Sequence, residues 1–294
     1  MVQSNVLEQA RAFIYSNARL LDRKRFEYLF EGGSKEEVLR ALKAYQNDDG
    51  GFGNALEPDI RCPNSQPVPT EYALYVMSEL DCFDADILNG IIRYLKAIAV
   101  PGGGFPLAYR SLQQYPHAPW WKIEDDGAAS INPTGQIMGY LLKQKTRNDF
   151  VEEEWFKRSL NFVKKTMEQG TPAGYHDGIQ WITFLEHAPE SYRSIDTKRR
   201  FDEWLASPGV IERNPHAEGY VHKVLDWVTG PQSYAAQFVT EAEIEEHLSA
   251  LIAEQEGDGG WPINFPAVSS LGELEWRGSL TVERLKTLRA FGKL

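Results

Sequence analysis

The residues best suited to chemistry in this 294-residue chain are carboxylates placed beside aromatic rings in its polar links. Trp120-Trp121 is followed closely by Glu124-Asp125-Asp126, and the turn Leu56-Glu57-Pro58-Asp59-Ile60 holds two acids between apolar residues. Further along come His176-Asp177, His216 with Glu218, and Glu273 and Glu275 beside Trp276. Two acids facing each other across an aromatic-lined cleft suit glycoside hydrolysis, where a carboxyl pair flanks the scissile bond. The plainer reading is that each acid caps a helix or sits in a solvated loop, since the helix macrodipole favours negative charge at N-termini. Glu57, Asp59, Glu124, Asp125 and Asp126 are the candidate catalytic groups. Trp120, Trp121, His176, Asp177 and Trp276 are the candidate substrate contacts.

Other chemistries find less to work with. His216-x5-His222 followed by Asp226 has the donor types of a metal site, with His222 and Asp226 expected four apart on one helix, but a further ligand is not in view. No metal and no cofactor is expected. Gly102-Gly103-Gly104 follows a helix and not a strand, so it reads as a turn and not as a phosphate cradle. Lys198-Arg199-Arg200 is a short solvated helix face. No Gly-x-Ser-x-Gly occurs, and neither Cys62 nor Cys82 stands where a nucleophile is expected. The formal net charge of −11 argues against nucleic acid as a partner. The expected partner is a small molecule, and the oligomeric state is not legible. No run of eighteen apolar residues occurs, so no transmembrane segment is expected. The polar, amphipathic N-terminus reads as neither signal peptide nor anchor, and the two cysteines suit a reducing, cytoplasmic setting.

The elements that must position these groups are helices, and they repeat. Gln46-Asn47-Asp48-Asp49-Gly50-Gly51-Phe52 returns as Gln255-Glu256-Gly257-Asp258-Gly259-Gly260-Trp261, and the match runs back through the preceding helix. A third copy ends at Gly103-Gly104-Phe105, and a fourth, Gln169 to Tyr175, keeps only the Gln-x5-aromatic spacing and one Gly. Apolar periodicity then divides the chain into two alternating sets of six helices. The first set covers about 3–16, 35–46, 84–99, 150–168, 197–206 and 240–255. The second covers about 18–31, 70–80, 133–144, 177–187, 216–228 and 279–291. Ser34 is an expected N-cap with Glu37 as its partner, and Asn132 is expected to cap a helix begun by Pro133. Strand signals are almost absent. Helical hairpins in series stack as a solenoid or close into a ring, and the lack of polar capping repeats favours closure. The expectation is an all-α chain: a single α/α toroid over residues 1–294, with about six hairpins in inner and outer rings. The second-set helices, short and poor in charge, are the inner candidates.

Ala44-x-Gln46-x5-Phe52 and Ala253-x-Gln255-x5-Trp261, with their Asp-Gly-Gly turns, resemble the Gln-Trp repeats of the squalene-cyclase and protein-prenyltransferase superfamily. The resemblance spans roughly residues 35–292 and implies the toroid fold. It also implies an isoprenoid-like apolar substrate, bound or cyclised after protonation by the middle acid of an Asp-x-Asp-Asp motif. Ile123-Glu124-Asp125-Asp126 is the nearest match, with Ile in the first position, so Asp125 and Asp126 become the acid candidates and Glu57 and Asp59 the supporting residues. The zinc ligands of the prenyltransferases have no counterpart around Cys62 or Cys82. A carbohydrate-active enzyme using pairs of the same carboxylates is the second expectation. A non-enzymatic module with an acidic rim is the third.

Overall fold

The computed structural model describes residues 2–294, with side chains from Asn5 onward. Twelve α-helices form among these residues, and the sheet reduces to Phe105–Pro106 (β1) paired antiparallel with Ala129–Ser130 (β2). The chain is all-α, as the periodicity predicts. It falls into two compact units, Leu42–Trp204 and the pairing of Met1–Ala41 with Leu205–Leu294. None of the helices among the described residues is long and apolar enough to cross a membrane.

The Leu42–Trp204 unit contains α4 (Pro67–Glu79), α5 (Ala85–Ile98), α6 (Ile131–Lys143), α7 (Glu154–Gln169) and α8 (Tyr175–His187), and most of α9 (Ile195–Leu205). α5 shows how firmly local chemistry sets these bounds. Asp84 caps its start by accepting from the amides of Asp86 and Ile87 at 3.0 Å each, and its apolar face, Ile87, Leu88, Ile91 and Leu95, is buried. In α6, Asn132 is extended and the helix runs on from Pro133, but the Asn132 side chain, expected as its cap, accepts from Gln180 instead.

The other unit contains α1 (Val2–Asn17), α2 (Leu20–Phe30), α10 (Val224–Trp227), α11 (Glu241–Ala253) and α12 (Ser270–Ala290), and α3 (Lys35–Lys43) leads out of it. Ser34 does cap α3, its hydroxyl accepting from the Glu37 amide at 3.3 Å. The core joins Val6, Ala10 and Ile14 of α1 to Leu248 and Leu251 of α11, Val282, Leu285 and Leu288 of α12, and Trp261. Arg25 is fully buried in α2, where Asp22, Glu283 and Ser279 receive its guanidinium.

Two helices depart from the sequence expectation. Residues 216–223 are turns, with Gly219 at φ +83°, so the helix expected from 216 shrinks to the single turn of α10. The closing helix starts at Ser270 and not 279, because Ser269 caps it by accepting from the Gly272 amide. Glu273, Glu275 and Trp276 are therefore on a helix, not in a link.

The repeat proves to be a backbone clip made three times. Gly50, Gly103 and Gly259 have φ of +94°, +90° and +93°, and a Cβ on any of them would lie 2.0–2.1 Å from a carbonyl oxygen of another helix: Gly90 in α5, Arg158 in α7 and Gln9 in α1. Only glycine fits both the conformation and the approach. The following aromatic is buried, and its amide donates to a threonine hydroxyl further along: Phe52 to Thr70 of α4 at 3.0 Å, Phe105 to Thr134 of α6 at 2.9 Å, and Trp261 to Thr281 of α12 at 3.2 Å. Gln46 and Gln255 act alike, each donating its amide to the turn glycine's carbonyl and to the neighbouring helix, at Ile87 and Val6. Asp49 and Asp258 accept from the second turn glycine, a structural duty that accounts for their repetition. The fourth copy lacks the turn, since Gly174 is extended.

Because all three threonines are fully buried, losing the hydroxyl leaves a buried amide without a partner. Thr281→Val is expected to cost about 1–3 kcal/mol in urea unfolding, and Thr281→Ser to recover most of that loss. A larger loss in Ser than in Val would mean that methyl packing, not the hydrogen bond, holds the clip.

Candidate functional site

In the Leu42–Trp204 unit, α4, α6 and α8 each carry polar groups at helical spacing on one face. They are Glu71, Tyr75 and Ser78 on α4; Asn132, Gln136, Tyr140 and Lys143 on α6; and His176, Gln180, Thr183 and His187 on α8. Gly135 and Gly139 let α6 lie directly on α8: a Cβ at Gly135 would come within 2.7 Å of Gln180 Cβ, and one at Gly139 within 2.7 Å of the Thr183 carbonyl. At the far end Lys143 bonds the Ser78 carbonyl and hydroxyl at 3.1 and 2.8 Å, which ties α6 to α4.

Gln180, 2% exposed, is the hub. Its Oε1 accepts from the Gln136 amide at 2.6 Å. Its Nε2 faces three acceptors: Gln136 Oε1 at 3.0 Å, Asn132 Oδ1 at 3.2 Å and Glu71 Oε1 at 3.4 Å. A carboxamide nitrogen has two hydrogens, so three acceptors compete for them, and the longest contact, to Glu71, is the most readily given up. Gln136 continues the network through its own Nε2, which reaches Tyr140 Oη and Thr183 Oγ1 at 3.1 Å each.

The electrostatics follow from the crowding. Glu71 keeps part of its surface accessible, yet the protein packed around it strips water from the carboxylate. Desolvation raises its pKa from 4.5 to about 8, against the lowering effect of the Gln180 amide, so near neutrality it is mostly a carboxylic acid. Burial, then the nearby Glu71, pushes the Tyr140 phenol up. Desolvation holds the His176 imidazole below its ordinary value, with Asp177 opposing, and so keeps it neutral.

Of the residues singled out from sequence, His176 is on this face, and the others lie elsewhere in the unit or in the other one. Glu57 is half-buried and Asp59 buried in a turn pinned to residues 115–118, where the Asp59 carbonyl accepts from Ala118 at 3.0 Å and Ile60 bridges His117. Glu124 and Asp125 are exposed, and Asp125 closes a local turn by accepting from the Gly127 amide at 2.8 Å. Asp126 accepts from the Arg110 amide at 2.7 Å and faces that guanidinium at 3.6 Å. Trp120 is 45% exposed, while Trp121 is buried with no hydrogen bond at its indole nitrogen. Asp177 accepts from the Ala173 amide at 3.1 Å at the start of α8. Trp276 belongs to the other unit, as do His222 and Asp226. These last two do not share a helix: α10 starts at Val224, and Asp226 accepts from the Lys223 amide at 2.8 Å and pairs with Arg284 at 2.9 Å. No cluster of three His, Cys, Asp or Glu suited to a metal occurs among the described residues.

Sequence reading missed Glu71, Gln136 and Gln180. Their signal was present: isolated polar residues on the faces of charge-poor helices, with Glu71 and Gln136 next to or near the threonines that receive two of the clips.

No protein-family model matches the chain, and no curated protein matches it. Among solved structures it is similar to a protein from Actinoplanes, with a TM-score of 0.60 and 12% identity over 98% of this chain and 99% of that one. At that identity the likeness shows the fold alone.

The shift at Glu71 has a signed consequence for stability. Between pH 4.5 and about 8 the unfolded chain gives up this proton while the folded one keeps it. Glu71 therefore makes the fold less stable as pH rises through that window, and its effect levels off above pH 8. Glu71→Gln is expected to flatten this slope and to unfold at higher urea than the parent at pH 8. Parallel pH profiles of the two proteins would show that Glu71 titrates normally.

Proposed function

We propose that the Leu42–Trp204 unit binds a small, hydroxylated, sugar-like substrate on the polar face of α4, α6 and α8, with Glu71 as general acid. The observation that carries this reading is Glu71 itself, an acid kept protonated at neutral pH and bonded only weakly to the hub amide of Gln180. Carboxamides and hydroxyls donate and accept in turn, as sugar hydroxyls do, and Asn132, Gln136, Tyr140, Gln180 and Thr183 supply five such groups. A polar lining of this kind favours the carbohydrate reading over an isoprenoid. In the same reading α4, α6 and α8 are inner helices of the expected toroid.

Acid strength points the same way. A general acid works best with a pKa near the operating pH, which suits proton delivery to a leaving oxygen. Protonating an alkene, the role the cyclase resemblance implies for Asp125 or Asp126, demands a much stronger acid, and Asp125 is exposed to water. Hydrolysis then balances as follows. Glu71 gives its proton to the leaving oxygen as the C–O bond breaks, and water adds to the carbon. His176, one helical turn before Gln180 and neutral, takes the proton that the water releases, and exchange with solvent returns a proton to Glu71.

The test is turnover of a panel of glycosides and oligosaccharides beside linear isoprenoid diphosphates. The expected result is saccharide cleavage that declines above about pH 8 as Glu71 ionises, and a kcat lowered by about a hundredfold or more in Glu71→Gln. Unchanged turnover in that variant, or turnover of isoprenoids alone, would overturn the proposal.

A further inference from the structure

The other unit holds a cleft that this chemistry does not use. Lys223, Leu225 and Asp226 line it from in and around α10, Arg284 from α12, and His247, Ala250, Leu251 and Glu254 from α11 and its C-cap. These last four stand at i, i+3, i+4 and i+7, so one helix face is turned to the cleft. With its open mouth included the cleft measures about 260 Å³, below the ~300–1,000 Å³ of drug-sized sites, and its enclosed part has room for a single water.

The polar lining is only partly committed. Asp226 is used up: Oδ1 faces Arg284 at 2.9 Å and Oδ2 takes the Lys223 amide at 2.8 Å. Three other groups have capacity to spare. His247 is 3% exposed, and its Nε2 lies 3.0 Å from the Arg213 carbonyl, so Nε2 donates. Nδ1 of the neutral ring is then an acceptor with no partner among the described residues. The Lys223 ammonium gives one hydrogen to Glu254 Oε1 at 2.9 Å and keeps two, and Glu254 Oε2 accepts from no described residue. Glu254 is also the C-cap of α11, where a carboxylate opposes the macrodipole, so helix stability does not account for it.

We propose that this cleft binds a small free α-amino acid as its zwitterion. An ammonium group is the size of a water, and it brings three donors to two unused acceptors, His247 Nδ1 and Glu254 Oε2. The negative end of α11 adds to its attraction. The α-carboxylate lies against the two remaining Lys223 hydrogens, so the ligand's two charges oppose the protein's ion pair in reverse order. Leu225, Ala250 and Leu251 offer apolar contact to a short side chain. A simple amine would leave the Lys223 hydrogens unused, and a simple carboxylate would bring its charge up to Glu254.

Calorimetric titration of the full chain tests this, with glycine, alanine, serine and valine as probes. N-acetylalanine, which lacks the ammonium, and alaninamide, which lacks the carboxylate, are the controls. Saturable binding of at least one amino acid is expected, with both controls about tenfold or more weaker than alanine. The partly exposed Lys223–Glu254 pair contributes little to stability, so Glu254→Gln and Lys223→Met are expected to fold, which urea unfolding checks. Each is expected to weaken binding about tenfold, while Glu71→Gln leaves it unchanged. If either fails to fold, the comparison with the controls decides. Equal binding of a control, unchanged binding in both folded variants, or no saturation by any amino acid, which would leave the cleft to an ordered water, would overturn the site.

Discussion

The glycine clip is the constraint on which the rest of this structure depends. A helix that ends against a neighbour must turn sharply, and the turn must leave no buried amide unpaired. Here a left-handed glycine makes the turn and a threonine further along accepts the next buried amide, and in two of the three clips a glutamine side chain ties the turn to the neighbouring helix. Each of the three clips thus fixes two other helices at once. The apolar core fills the space that the clips define, and it is generic in composition. The clips are not.

Glu71 owes its character to this arrangement. Thr70 receives the Phe52 amide, which fixes the rotation of α4 about its axis and so the direction of the next residue. Thr134 does the same for α6, and the two glycines after it bring α6 onto α8. The acid, the amide hub and their hydroxyl neighbours are thereby held within hydrogen-bond reach of each other by elements whose own geometry leaves little slack.

Much of the fold was legible in the sequence, and less of the site. Gln46 and Gln255 declared the repeat because both ends of their contacts, the glutamine and the turn, lie within one short stretch. The threonines did not, because their distance from the aromatic varies with the intervening link, from Phe52 and Thr70 to Phe105 and Thr134. The helix expected over 216–228 hid a break, because Gly219 takes a left-handed conformation at φ +83°. The loop carboxylates drew attention by clustering along the chain, but clustering in sequence says nothing about desolvation. Asp125 sits in water, whereas Glu71, one of two acids on a charge-poor helix, is desolvated by the fold, with Gln180, 109 positions on, beside it. Its neighbours Gln136 and Gln180 come together only in three dimensions.

The third clip joins residues far apart in time as well as in sequence. Gln255 donates to the Val6 carbonyl and Gly259 seats on Gln9, so the neighbour that α1 needs is made 249 residues later. Until then the apolar face of Ala10, Phe13 and Ile14 has no Trp261 or α12 to cover it. On the ribosome α1 emerges long before the partners that complete it, and through that interval its apolar face is open to a chaperone.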